Sequence, residues 1–264
     1  MAAPPIYLLL ALTLRWRFGY SYKGLSGFRR EIWKKIDGHQ GPVIWAANHH
    51  TLIDSFLIFQ AVYPFSRLRR HQLIPWSTPE YTNYYNIGGW LCSRTVRFFM
   101  YLCRCIPFLR EGEDAVAVAW REKAFAKCAW ILNQGGSVFI YPEAQRSRNG
   151  WIERRRPKDF LGRLALETPH AKFLCVYLRG NKQAYRTVYP ERGDSFRMTA
   201  DLVPAVLPGE TTPRQVSQRL FDTLARLQDA WFKDWDMPKN CGGNDVVDLK
   251  SPLRRENMDP ETGE

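Results

Sequence analysis

In the run Trp45-Ala46-Ala47-Asn48-His49-His50-Thr51-Leu52-Ile53-Asp54-Ser55-Phe56-Leu57-Ile58, a histidine and an aspartate, His49 and Asp54, stand five residues apart. Histidine titrates near neutrality, and a carboxylate that accepts its other ring N–H fixes the tautomer and raises the basicity. Such a pair is the minimum equipment of a general base. On a continuous helix, residues five apart lie ~140° around the axis and do not meet. His49 and Asp54 therefore pair only if the histidine sits in a loop and the aspartate enters the first turn of a helix, where the positive end of the dipole favours its ionised form. The plainer reading makes Asp54 an ordinary N-terminal helix residue and both histidines polar filler. Within the functional reading, His50 is a rival base, four residues from Asp54.

The flanking residues supply the elements that would position this pair. Val43–Ala47 is apolar and reads as a buried strand, and Phe56, Leu57 and Phe59 begin a helix. A strand, a polar turn and a helix place the turn at the carboxyl end of a sheet, where α/β folds hold their chemistry. A second such unit follows some 90 residues later: an apolar strand over 137–141 runs into Pro142-Glu143-Ala144-Gln145-Arg146-Ser147. Between the two, residues 115–132 read as a long helix, led by Asp114 and stopped by Gly135-Gly136, of the kind that crosses over between parallel strands. Residues 71–75 read as a strand, 78–89 as an irregular loop, and 106–110 as a short strand closed by Arg110. Residues 94–100 read as a helix; extended, it puts Arg94, Arg97 and Arg104 on one face, with Phe98, Phe99, Leu102 and Cys105 on the rest, suited to a groove or a membrane. Residues 172–178 are another buried strand. Thr212-Pro213 opens a last helix, in which Val216, Leu220, Leu224, Leu227 and Trp231 form a packing face.

Asn48-His49-x-x-x-x-Asp54 resembles the His-x4-Asp motif of the lysophosphatidic acid acyltransferase family, part of the wider glycerolipid acyltransferase group. Pro142-Glu143-Ala144-Gln145-Arg146-Ser147 resembles that family's Pro-Glu-Gly-Thr-Arg-Ser, in the same order and again after a strand. Ala144 stands where the family has glycine and Gln145 where it has threonine; alanine disfavours a backbone of positive φ. Arg110 loosely matches a further motif in which an arginine closing a strand helps to hold the acceptor's phosphate, a task suited to the planar guanidinium fork. Lys158 and Gly162 resemble the basic residue and glycine that open the family's next helix. The family's last motif would fall on 172–178, but its proline is missing here. The resemblance covers roughly residues 25–205.

Composition narrows the partners. Lysine and arginine exceed aspartate and glutamate by 38 − 26, a net charge of +12 that implies an anionic partner. Ten tryptophans among so many basic residues favour a membrane surface over nucleic acid, for which no motif is present. The apolar run over 6–14 is too short for a span of ~20 residues and lacks the charges of a signal peptide, so it reads as an interfacial or re-entrant helix, or else as one docked on the protein's own core. From 15 to 35, seven basic residues against one acidic are interleaved with aromatics, a mixture suited to an anionic leaflet. The six cysteines form no CxxC pair and read as reduced residues of a cytosolic compartment; no structural metal is expected.

These readings combine into a single-domain α/β protein with a mixed, largely parallel central sheet flanked by helices. Residues 1–40 would be a membrane-associated N-terminal helical segment, 41–210 an acyltransferase domain, 211–235 a C-terminal amphipathic helix and 236–264 a polar, disordered tail. The resemblance implies transfer of a fatty acyl group from acyl-CoA or an acyl-carrier protein, as co-substrate rather than cofactor, to the free hydroxyl of 1-acyl-sn-glycerol-3-phosphate. His49 and Asp54 would be catalytic, and Arg110, Glu143, Arg146, Ser147 and Lys158 would bind substrate. No GxSxG elbow supplies a covalent alternative. The expected location is the cytoplasmic face of a membrane, without a full span. Another lysophospholipid or an amino-acid-containing lipid as acceptor, and a non-catalytic membrane-surface protein, are the other readings.

Overall fold

In strands buried on both sides, apolar side chains alternate between two helical layers, and this alternation organises the chain. In the computed structural model, residues 3–67, 74–81, 90–109, 114–144, 146, 152, 158–183 and 189–234 are described. The elements run α1 (Ala3–Trp16), β1 (Ser21–Tyr22), α2 (Leu25–Asp37), β2 (Val43–Ala47), α3 (Asp54–Val62), β3 (Trp76–Ser77), α4 (Trp90–Leu102), α5 (Ala115–Asn133), β4 (Ser137–Ile140), α6 (Asp159–Glu167), β5 (Lys172–Gly180), β6 (Ser195–Pro204) and α7 (Pro213–Asp234). The strands form one six-stranded sheet in the order β1-β6-β5-β2-β4-β3. All neighbours are parallel except β5 and β6, so the mixed, largely parallel sheet read from the sequence is the one observed. Every residue of β2 and β4 is buried.

Val43, Trp45 and Ala47 point into a core with Leu14, Ile32, Trp33, Ile36, Leu57 and Ile58 from α1 to α3. Ile44 and Ala46 point the other way, against α5, α6 and α7. The helix ends follow local chemistry. Asp114 Oδ1 accepts from Ala117 N–H at 2.8 Å, capping α5. Thr212 and Gln215 cap α7 reciprocally, Oγ1 accepting from Gln215 N–H at 3.3 Å and Oε1 from Thr212 N–H at 3.1 Å. A Cβ on Gly162 would meet the Pro213 carbonyl at 1.9 Å, so glycine there lets α6 and α7 touch.

Several expectations change. The strand read over 71–75 lies instead at Trp76–Ser77; Ile74 and Pro75 precede it, and 71–73 fall outside the described residues. The strand read over 106–110 is reduced to single bridges, Ser77 with Cys105 and Glu80 with Phe108, since Pro107 offers no N–H to a ladder. The helix read over 94–100 runs from Trp90 to Leu102, and Arg104 lies beyond it at φ 58, donating to the Ile74 carbonyl at 2.8 Å. It has therefore left the face shared by Arg94 and Arg97. Strand β6 was not expected, although Phe196, Met198, Ala200 and Leu202 alternate with Arg197, Thr199 and Asp201 at the period of a half-buried strand. In α1, Leu14 is buried while Leu9 and Trp16 are exposed, so the helix docks at one end and faces outward along part of its length. No helix among the described residues is long and apolar enough to cross a membrane. Residues 236–264 lie outside the described part.

Candidate active site

Strand β2 ends at Ala47, and the next residue locks the loop to its neighbour. The Asn48 side chain donates to the Leu178 carbonyl and accepts from the Leu178 N–H, both at 2.8 Å, continuing the β2–β5 ladder with an amide in place of a peptide. From this fixed point His49 projects into a loop and Asp54 begins α3. Asp54 is buried and its carboxylate gathers four donors. His49 Nδ1 lies 3.1 Å from Oδ2, which also accepts the backbone N–H groups of His50 at 2.5 Å and Thr51 at 2.7 Å, while the Thr51 hydroxyl donates to Oδ1 at 2.5 Å. The far end of α3 is held as firmly: Arg29 donates to the carbonyls of Gln60 and Ala61, and Trp33 Nε1 to that of Val62. These donors satisfy carbonyls that the helix itself leaves open.

Burial alone would raise the Asp54 carboxyl, but the hydrogen bond and charge of His49, with smaller help from His50 and Thr51, hold it below the usual carboxylate range. An ionised Asp54 facing Nδ1 places the ring proton there and leaves Nε2 as the basic nitrogen. The His49 side chain is 17% exposed. Its ring stacks on Tyr141, with centroids 3.8 Å apart and planes 12° from parallel. A hydrogen bond and a stacked ring thus fix the imidazole from two directions.

His50 has the opposite environment. Its ring is buried against Tyr177, with centroids 6.5 Å apart, and its Nε2 makes no hydrogen bond among the described residues. Burial first, and the Arg179 charge second, push its pKa down to about 3. It stays neutral at physiological pH, walled in where the His49 ring is partly exposed. Arg179, also buried, donates through Nε to the Gln183 carbonyl at 2.9 Å and lies 5.2 Å over the Phe232 ring.

The second polar loop arrives beside the first because β4 pairs with β2, Ile140 opposite Ala46. Tyr141, under His49, is followed directly by Pro142 and Glu143, and Glu143 lies close enough to Tyr177 for its charge to act on that phenol. Ala144 adopts the left-handed conformation, φ 55, that glycine would take without strain. Arg146 is half-buried two residues on. Arg110 and Ser147 lie outside the described residues. Lys158 precedes α6, and its carbonyl accepts from Ser217 Oγ near the start of α7.

Asn48, Thr51 and Tyr141 were not singled out as positioning groups. The available signals were a polar residue closing a wholly apolar strand and an aromatic residue closing another. No three or more His, Cys, Asp or Glu side chains converge as metal ligands among the described residues.

The fold is similar to that in the crystal structure of the 1-acyl-sn-glycerophosphate (LPA) acyltransferase PlsC from Thermotoga maritima. The likeness covers 88% of this chain and 89% of that one, with a TM-score of 0.51 and 17% sequence identity. Among curated protein sequences, none matches this chain. The family model described as Acyltransferase matches residues 29–208, through both polar loops and the strands that carry them. The chain belongs to the acyltransferase family.

Proposed function

We propose that the protein moves a fatty acyl group from an acyl thioester, acyl-CoA or acyl-carrier protein, to the free hydroxyl of 1-acyl-sn-glycerol-3-phosphate, giving phosphatidic acid. The observation that carries the reading is the His49–Asp54 hydrogen bond at the carboxyl end of β2, with His49 Nε2 left for substrate. His49 takes the acceptor's hydroxyl proton as the oxygen attacks the thioester carbonyl. Asp54 holds the ring and stabilises the imidazolium. Collapse of the tetrahedral intermediate expels the thiolate, which regains the proton from His49. No acyl-enzyme is needed. Tyr141 holds His49 in plane, and the β2–β4 pairing brings Glu143 and Arg146 to the same end of the sheet, where Arg146 would face the acceptor's phosphate. The likeness in fold to an LPA acyltransferase supports this acceptor.

The test is thioester consumption with a panel of acceptors: 1-acyl-sn-glycerol-3-phosphate, other lysophospholipids and amino-acid-containing lipids. His49→Ala is expected to lower transfer by on the order of 10²–10⁴ with the melting temperature unchanged. Full activity in that variant would end the proposal, and a preference for another acceptor would replace the substrate named here.

A further inference from the structure

From Arg94 to Tyr101, helix α4 combines aromatic and cationic side chains that are largely exposed. Between residues 90 and 109 the chain has three arginines and no acidic residue. In α4, Phe98, Phe99 and Tyr101 are 59%, 54% and 60% exposed, and Arg94 and Arg97 are exposed beside them. A soluble helix turns such rings inward; adjacent exposed rings mark a surface that meets something.

The position of the helix says what. Strand β3 runs parallel to β4, so the segment that follows it, Thr78 to Tyr81, leaves at the same end of the sheet as Tyr141 and His49. Helix α5 leads through a short link into β4 and packs back along it, so its first turns lie at that end too. There Val116 is 66% exposed and Trp120 41%, Trp120 packs on Tyr81 at 5.6 Å, and Arg97 donates to the Tyr81 hydroxyl at 3.1 Å. After α4 the chain turns at Arg104 and re-pairs with β3 in parallel at Cys105, so α4 runs back along the sheet edge from the site end. Arg97, Tyr81 and Trp120 thus link α4 to the start of α5 at the site end, and Phe98, Phe99 and Tyr101 continue the surface along the sheet edge away from it.

We propose that this surface docks on the headgroup layer of an anionic phospholipid bilayer, the rings entering the interface and Arg94 and Arg97 meeting lipid phosphates. Aromatic rings and basic residues without acidic ones on an exposed helix suit that boundary. An acidic protein partner would need the arginines but not three exposed rings. The surface is distinct from α1, which presents Leu9 and Trp16 from the layer packed on the other face of the sheet. The inference rests on the lipid acyltransferase reading for its purpose, to open the site toward its substrate, while the binding itself is measured without turnover.

The experiment is flotation of the full chain with vesicles of phosphatidylcholine alone or with added phosphatidylglycerol. The parent is expected to float with the anionic vesicles, and raised salt to weaken its binding. The variant Phe98→Ser, Phe99→Ser, Tyr101→Ser is expected to lose about tenfold or more in partitioning with its melting temperature kept. Arg94→Gln with Arg97→Gln should lose binding to anionic vesicles selectively. A ring variant that floats as the parent does overturns the proposal, whether Leu9→Ser with Trp16→Ser abolishes flotation or not. So does a parent that ignores lipid charge, or a ring variant that changes only the oligomeric state. Loss of thioester activity with flotation unchanged would instead count against the chemistry.

Discussion

The loop after β2 and the helix at the β3 edge solve opposite problems. In the loop every functional side chain is tied: Asn48 twice to Leu178, Asp54 to four donors, His49 between a carboxylate and a ring. In α4, Phe98, Phe99 and Tyr101 face outward, with Val96 and Met100 half-buried. A base must be held within tenths of an ångström of its working geometry, which needs many short, directional contacts. A surface that meets a fluid partner needs area and charge, and directional contacts within the protein add little.

The largest effect that would break this contrast lies at Asp54. Asp54→Asn is expected to lower transfer by on the order of 10²–10⁴, measured by thioester consumption, because an amide cannot both accept the Nδ1 proton and stabilise the imidazolium. The same variant should lose about 1–3 kcal/mol of unfolding free energy in denaturant titration, since the Thr51 hydroxyl and two backbone N–H groups lose their charged acceptor. Equal stability and activity in Asp54→Asn would mean that the loop is not organised around the carboxylate.

The next effect is a pH dependence from His50. Burial holds its pKa near 3, below the free histidine value near 6.5, so between those values the unfolded chain binds a proton that the folded chain refuses. Its contribution to stability is whole above about pH 6.5 and is lost as pH falls, by about 1.4 kcal/mol per unit. Asp54, shifted down, loses its own contribution only at lower pH, below the free carboxylate value near 4. Denaturant titrations at several pH values between 7 and 5 should show this slope, and His50→Leu should flatten it.

A smaller effect sharpens the comparison from the other side. Ala144→Gly, which removes the strain of a left-handed alanine, is expected to raise unfolding free energy by about 0.5–1 kcal/mol and leave transfer unchanged. By contrast, the ring substitutions in α4 should move it by less than about 0.5 kcal/mol, since they remove little packing.

Some of this was legible in the residues alone. Continuous apolar runs over Val43–Ala47 and Ser137–Ile140 can form only buried strands here, and the polar residues that follow them must emerge at one end of a sheet. The same physics placed α5 and α7, whose caps and periodicity are local properties. The weak points were elements of two residues, such as β1 and β3, which have no periodicity to read, and the proline-broken pairing at Cys105 and Phe108.

By itself the sequence determined that a histidine and a carboxylate leave one strand, and that Pro142, Glu143 and Arg146 leave another. Only the tertiary structure decided which of two adjacent histidines is buried and which is left partly exposed with a carboxylate on its Nδ1. His49 and His50 are equivalent as text, but Tyr177 and Arg179 of β5 bury one, while Tyr141, just after β4, stacks on the other. It also decided that the chain at Lys158 is tied to α7, through the Ser217 hydroxyl. At the two histidines, burial and charge come from strands more than ninety residues away, and their register, unlike a cap or a period, is set by the packing of the whole sheet.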